Sequence, residues 1–140
     1  MRRTPVLLAA LAAVVLSGCG GQGSKNTDST KDFTGEQKAV AATVEELQKA
    51  AKDRDGTKVC SDLVTAELRD QISATNCSKV VKDAIRETDE VDLRVTSVKI
   101  TGDKAVAQVK EKTGEDKSRT RTIDLQKTAG RWRISALPQS

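Results

Sequence analysis

Apolar residues recur at helical spacing between residues 40 and 51. The intervals are four, three and four positions, at Val40, Val44, Leu47 and Ala51. This spacing places them on one face of an amphipathic helix. Thr34 and Gln37 form a capping-box pattern at its start. Arg54-Asp55-Gly56 predicts its end, with Gly56 in the left-handed conformation that follows many helices.

Two further apolar stripes predict a second and a third helix. The second stripe comprises Cys60, Leu63, Val64, Leu68 and Ile72. Ser73 to Asn76 interrupt it, and Asn76 is a suitable N-cap for the next helix. The third stripe comprises Cys77, Val80, Val81, Ala84 and Ile85. Both cysteines are therefore expected in the first turns of their helices, on apolar faces.

The apolar period then changes from helical spacing to alternation, which predicts strands. Val91, Leu93 and Val95 alternate, and the pattern resumes one residue late at Val98 and Ile100. A one-residue phase slip within a strand is typical of a β-bulge.

Three more alternating segments follow. Thr101-Gly102-Asp103 predicts a hairpin turn into a strand with Ala105, Ala107 and Val109. A polar loop is expected from Glu111 to Lys117, and Thr128-Ala129-Gly130 predicts the last turn. The third strand carries Arg119, Arg121, Ile123 and Leu125, and the fourth strand carries Trp132 and Ile134. The prediction is a single α+β domain over residues 33–140, with three N-terminal helices packed on a four-stranded antiparallel curved sheet.

The first 18 residues have the parts of a secretory signal peptide. Arg2 and Arg3 precede an uncharged apolar run from Val6 to Leu16. This run of about eleven residues is shorter than the roughly 18–20 residues of a membrane-spanning helix. Leu16-Ser17-Gly18-Cys19 resembles the bacterial lipobox.

The lipobox resemblance implies removal of residues 1–18 and attachment of a diacylglyceryl group to Cys19. The protein would then be a lipoprotein of the cell envelope, held by acyl chains such as palmitate on the extracytoplasmic face of the cell membrane. Residues 19–32 would form the lipidated cysteine and a flexible polar tether. Ordinary secretion with an incidental Cys19 is the alternative.

The charge balance gives no indication of nucleic-acid binding. The 140-residue chain has 24 basic and 20 acidic residues, and losing Arg2 and Arg3 with the signal leaves 22 against 20. Nucleic-acid binding requires clustered Lys and Arg and a clear imbalance. We therefore expect no nucleic-acid partner.

After Cys19 takes lipid, Cys60 and Cys77 remain as a pair in an oxidising compartment, which predicts a disulfide. The chain contains no histidine, and two thiols make an incomplete tetrahedral metal shell. The Cys-x-x-Cys spacing of redox-active pairs is also missing. We expect neither a metal nor a cofactor.

The order of elements resembles the NTF2-like, or cystatin-like, fold and, more narrowly, small extracytoplasmic lipoproteins of actinobacteria. The shared features in order are a lipobox, an Asp- and Gly-containing turn after a helix, two cysteines that begin helices, and a Trp-containing last strand. In this sequence they are Cys19, Arg54-Asp55-Gly56, Cys60, Cys77 and Gly130-Arg131-Trp132-Arg133-Ile134. The resemblance implies a fold and no common activity.

Catalysis is not expected. Some NTF2-like proteins are isomerases or cyclases, whose reactions need a general base and a donor to an enolate. The chain has no His and no Tyr, and its aspartates fall mostly in turns or beside Lys and Arg. No aspartate lies within an apolar run that would raise its pKa.

Three residues have two interpretations each. Arg119 and Arg121 share the phase of Ile123 and Leu125, so they could meet an anionic ligand at the open end of the concave face. The alternative, which we favour, is a strand end that runs past the core into solvent. Trp132 could stack on a ligand, but a lone Trp on an apolar phase favours the core.

Two functions remain open from the sequence. We expect a non-catalytic domain that binds a protein or another envelope component. The alternative is a small-ligand carrier with a cleft between helix and sheet. A continuous internal cavity would favour the carrier, and a filled core with an exposed apolar patch would favour the binding domain.

Overall fold

The computed structural model describes residues 28–88, 91–113 and 117–138. A 3₁₀ turn at Thr30–Asp32 precedes four α-helices: α1 Gly35–Lys52, α2 Gly56–Lys58, α3 Ala66–Ser73 and α4 Cys77–Glu87. Four strands follow: β1 Val91–Thr101, β2 Lys104–Thr113, β3 Lys117–Thr128 and β4 Arg131–Ala136. The strands form one antiparallel sheet in the order β1-β2-β3-β4, so the predicted α+β class and sheet are confirmed.

Ser29 already packs into the domain, although the domain was predicted to start at residue 33. Ser29 is fully buried, and its backbone N–H and hydroxyl donate to the carboxylate of Glu45 on α1. The Ser29 hydroxyl also accepts from the backbone N–H of Val95 on β1. These bonds fasten the start of the domain between α1 and the edge strand.

Helix α1 covers the sheet with its predicted apolar face. Val40 and Val44 are fully buried in the same cluster as Val95, Ile123 and Ile134. Thr34 is the N-cap, as predicted, but its side chain makes no capping bond. Gln37 instead donates to the carbonyl oxygen of Val98 at 3.0 Å. The capping-box prediction was therefore wrong, because Gln37 bonds the sheet.

The predicted second helix is two helices, which corrects the expected count from three to four. Helix α2 continues into a π-helical turn at Val59–Leu63, and Val64 is extended. Val64 forms a parallel bridge with Ile134, and the Thr65 N–H donates to the Ile134 carbonyl at 2.9 Å. The Thr65 hydroxyl then accepts from the Leu68 N–H and caps α3. Pairing with the edge strand β4 thus interrupts the helix.

Gly56 does not end α1, as the sequence suggested, because it begins α2. The left-handed residue is Arg54, with φ 55°. Gly56 is instead required by packing: a Cβ at this position would lie 2.2 Å from the carbonyl oxygen of Ser78 on α4. Only glycine allows α2 and α4 to approach this closely.

The sheet follows the predicted alternation. The register of β1 against β2 shifts between Val95 and Ser97, which confirms the bulge. Gly102 has φ 64° in the first hairpin, and Ala129 and Gly130 have positive φ in the last turn. Strand β2 continues to Thr113, so it includes part of the segment predicted as the polar loop from Glu111 to Lys117.

Candidate functional site

Helix α4 is amphipathic but leaves most of its apolar stripe unburied. Cys77 is its only buried residue, while Val81 and Ile85 are half-buried and Val80 is 43% exposed. The helix packs at its start, where Gly56 approaches Ser78. Val80, Ala84 and Ile85 therefore border open space, while Val81 also packs against the core.

A cleft of about 740 Å³ occupies that space. One wall is the C-terminal half of α1, the other is α4, and the floor is the face of the sheet that carries Leu93, Ile123 and Ile134. The aliphatic lining residues include Leu47, Val80, Val81, Ile85, Leu93 and Ile123. Val59, Val64, Ile72, Ile134 and Leu137 complete this apolar surface.

The polar side chains in the lining already bond to the protein. Gln48 accepts from the Leu93 N–H at 3.0 Å and donates to Asp92 at 3.1 Å. Lys52 donates to the same Asp92 oxygen at 3.0 Å. The Thr88 hydroxyl donates to the Ala84 carbonyl at 2.7 Å. Among the described residues, only Arg54 adds a further charged group, exposed at the end of α1.

No protein-family model matches the chain, and no curated protein matches it. Among solved structures, the chain is similar to a "De novo designed NTF2 fold protein NT-9", with a TM-score of 0.50 and 15% identity. That match covers 74% of this chain and 87% of the designed one. The domain has an NTF2-like fold. A second similar structure, titled as a variant of Rd1NTF2_05, has a TM-score of 0.48 and 10% identity, covering 71% of this chain and 93% of that one.

The NTF2-like domain contains the predicted disulfide. Cys60 and Cys77 are bonded, with Cα atoms 6.1 Å apart. Cys60 lies in the π-helical turn and Cys77 begins α4. The bond therefore fixes one end of α4, the outer wall of the cleft. Cys19, the predicted lipid acceptor, lies outside the described residues.

Arg119 and Arg121 lie at the far end of β3 and do not line the cleft of the NTF2-like domain. Arg121 is half-buried and its Nε forms an ion pair with Glu111 on β2. Arg119 is exposed and pairs in the strand register with the same glutamate. A ligand contact at these arginines stays a prediction that is separate from this cleft.

Trp132 belongs to the core of the NTF2-like domain, as predicted, with 6% of its surface exposed. Its backbone carbonyl accepts from the Thr43 hydroxyl at 3.3 Å, so it lies against α1. It does not line the cleft. The apolar side chains that do line the cleft are aliphatic.

The sequence raised a cleft between helix and sheet only as part of the alternative function. The apolar stripe on α4 has the same spacing whether it faces a core or an open space, so it did not show that the cleft is open. Within residues 28–88, 91–113 and 117–138, no three His, Cys, Asp or Glu side chains are grouped as metal ligands. In the same part of the chain, no helix is both long and apolar enough to cross a membrane.

Proposed function

We propose that the protein is a membrane-anchored extracytoplasmic lipoprotein whose NTF2-like domain binds a small apolar ligand without catalysing a reaction. The observation that carries this proposal is the cleft of about 740 Å³. Ligand sites are typically about 300–1,000 Å³ and mostly apolar. Protein interiors leave few voids larger than a water molecule. A cleft of this size between α1, α4 and the sheet is therefore suited to an occupant.

The chemistry of the lining supports binding over catalysis. The chain has neither His nor Tyr, and the lining residues Gln48 and Lys52 both donate to Asp92 on β1. Groups engaged in this way hold α1 against β1.

Binding of an envelope protein, which the sequence favoured, is the second candidate. The supporting observation is that Val80 and Leu137, at the cleft edge, are 43% and 53% exposed. An apolar side chain of a partner could insert between them. The two functions differ in what occupies the cleft, so identifying the occupant distinguishes between them.

Native mass spectrometry of the mature protein, incubated with a membrane-lipid extract and then separated from free lipid, tests the ligand proposal. Ala84→Phe is the blocking variant, because Ala84 is exposed and lines the cleft. Val106→Phe is the matched control, because Val106 is 40% exposed on β2 and does not line the cleft.

We expect a small-molecule adduct on the wild type and on Val106→Phe, and a reduced adduct on Ala84→Phe. Absence of any adduct, together with a membrane protein captured by the wild type and lost with Ala84→Phe, would favour the protein-binding function instead.

The membrane anchor is tested separately at Cys19. Cys19→Ala should abolish metabolic labelling with a palmitate analogue and release the protein from the membrane fraction. Undiminished label on the variant would refute the assignment of Cys19 and the lipoprotein proposal.

A further inference from the structure

We propose that the occupant of the cleft is a hydrocarbon chain: one acyl chain of a membrane lipid, inserted between α1, α4 and the sheet with the lipid headgroup outside. This inference rests on the proposed ligand-binding function and specifies its ligand class. The aliphatic walls, the bonded polar groups, the exposed edge and the place where the tether joins the domain support it.

The first feature is the aliphatic character of the walls. The apolar lining consists of Leu, Val, Ile and Ala side chains with one Pro, and contains no aromatic residue. The two aromatic residues of the chain, Phe33 and Trp132, lie elsewhere. A flat ring system gains affinity by stacking on aromatic side chains, which this cleft does not supply. A flexible alkyl chain gains affinity from buried area alone.

The second feature is that the few polar side chains of the walls already bond within the protein. Both ends of the Gln48 amide, the Lys52 ammonium and the Thr88 hydroxyl each have a protein partner. A polar ligand atom buried among the aliphatic residues that make up most of the lining would lack a partner, which is costly. The walls therefore favour an apolar group in the buried part of the ligand.

The exposed edge of the cleft suits the other end of a lipid. Leu137 and Val80 are partly exposed there, and Arg54 is exposed at the end of α1. A headgroup at this edge remains hydrated, so only the chain loses contact with water. This division matches an amphiphile better than a compact apolar molecule.

The last feature is the place where the tether joins the domain. Ser29 bonds Glu45 on α1 and Val95 on β1, and the cleft residues Gln48 and Leu93 are close to them in sequence. Cys19 precedes Ser29 by ten residues, which span at most about 35 Å when fully extended. A lipid anchor at Cys19 would keep the cleft within reach of the bilayer and its acyl chains.

Isothermal titration calorimetry on the mature chain with Cys19→Ser tests the ligand class. The probes are octanoate, decanoate, dodecanoate and 1-pyrenebutyrate, which carry the same carboxylate on different apolar bodies. We expect affinity to rise about fourfold per buried methylene, and dodecanoate to bind more tightly than 1-pyrenebutyrate. Ala84→Phe should weaken dodecanoate binding at least tenfold, and Val106→Phe should leave it unchanged.

Two results would overturn the inference while leaving the proposed function in place. One is tighter binding of 1-pyrenebutyrate than of dodecanoate, if Ala84→Phe blocks it. The other is affinity that does not depend on chain length, which would assign recognition to the carboxylate. If no probe and no extracted lipid binds, the proposed function fails as well.

The source of the chain is tested by native mass spectrometry of protein isolated from membranes. We expect a non-covalent phospholipid adduct on the lipidated protein, and the same adduct on Cys19→Ser after incubation with vesicles of that phospholipid. If the lipidated protein carries no adduct and takes up none, while Cys19→Ser does, the chains attached to Cys19 fill the cleft. That result would overturn the assignment to a membrane lipid.

Discussion

The indole nitrogen of Trp132 donates to a carboxylate oxygen of Glu36 at 2.6 Å, which joins β4 to the first turn of α1. Lys127 donates to the other carboxylate oxygen at 2.7 Å. Its ammonium group also lies 5.8 Å from the centre of the indole ring. Glu36 thus accepts from two residues of the last hairpin, and the apolar body of Trp132 is buried behind it.

Trp132→Ala should destabilise the domain by roughly 3–5 kcal/mol, because it removes a buried indole and leaves a cavity. Trp132→Phe is the matched control, since it keeps a ring in the core while it removes the hydrogen bond to Glu36 and part of the buried ring volume. Thermal unfolding should rank the proteins as wild type, then Phe, then Ala. A melting temperature of Trp132→Ala near that of the wild type would contradict a core role.

Glu36 should make the stability of the domain depend on acid pH. The bonds from Lys127 and then Trp132 lower the pKa of the Glu36 carboxyl below its ordinary value of 4.5. The folded state therefore holds this proton less tightly than the unfolded state. The stabilisation is full above pH 4.5 and is lost as the pH falls through the lower, folded-state pKa.

Urea unfolding of the wild type and Glu36→Gln, from neutral pH into the range below 4.5, measures this contribution. The two proteins should differ at neutral pH and converge in acid. Glu87→Gln, at an exposed carboxylate on α4, is the control. A constant difference between wild type and Glu36→Gln at every pH would show that ionisation of Glu36 does not matter.

Loss of the disulfide should cost the domain about 3 kcal/mol in the loop-entropy model. Cys60 and Cys77 are 17 residues apart, and the bond ties α4 to the π-helical turn. We expect Cys60→Ala/Cys77→Ala to unfold at lower urea, and a reducing agent to destabilise the wild type but not the variant. Equal urea midpoints for the two oxidised proteins would contradict this prediction.

Gly56→Ala should destabilise the domain by about 2–3 kcal/mol through overpacking. The new Cβ would lie 2.2 Å from the Ser78 carbonyl oxygen and 3.1 Å from the Lys82 nitrogen, both on the α4 backbone. Gly102→Ala is the control, because its Cβ would meet open space and cost only the strain of a positive φ, about 1 kcal/mol. Differential scanning calorimetry should rank Gly56→Ala as the less stable variant; the reverse order would refute the packing role.

Local patterns in the sequence were sufficient to predict the sheet and the disulfide. Successive side chains of a strand lie on opposite faces of the sheet. The one-residue slip in the apolar alternation after Val95 therefore predicted the bulge. Gly102 and Gly130 marked turns because those positions have positive φ. Cys60 and Cys77 could be paired because the presumed compartment and the residue count left no other partner. Each of these features depends on neighbouring residues or on simple counting.

Long-range packing decided the number of helices, the role of Gly56 and the size of the cleft. Val64 has the same place in an apolar stripe as Leu68, but its pairing with Ile134, 70 residues later, made it extended and divided the helix. Gly56 looked like a helix end until α4 was placed against it. The size of the cleft was hidden for the same reason: the spacing of Val80, Val81 and Ile85 fixes only which side of α4 is apolar. How far that side stands from the sheet is set by the disulfide and by the contact at Gly56, and local sequence carries no measure of that distance.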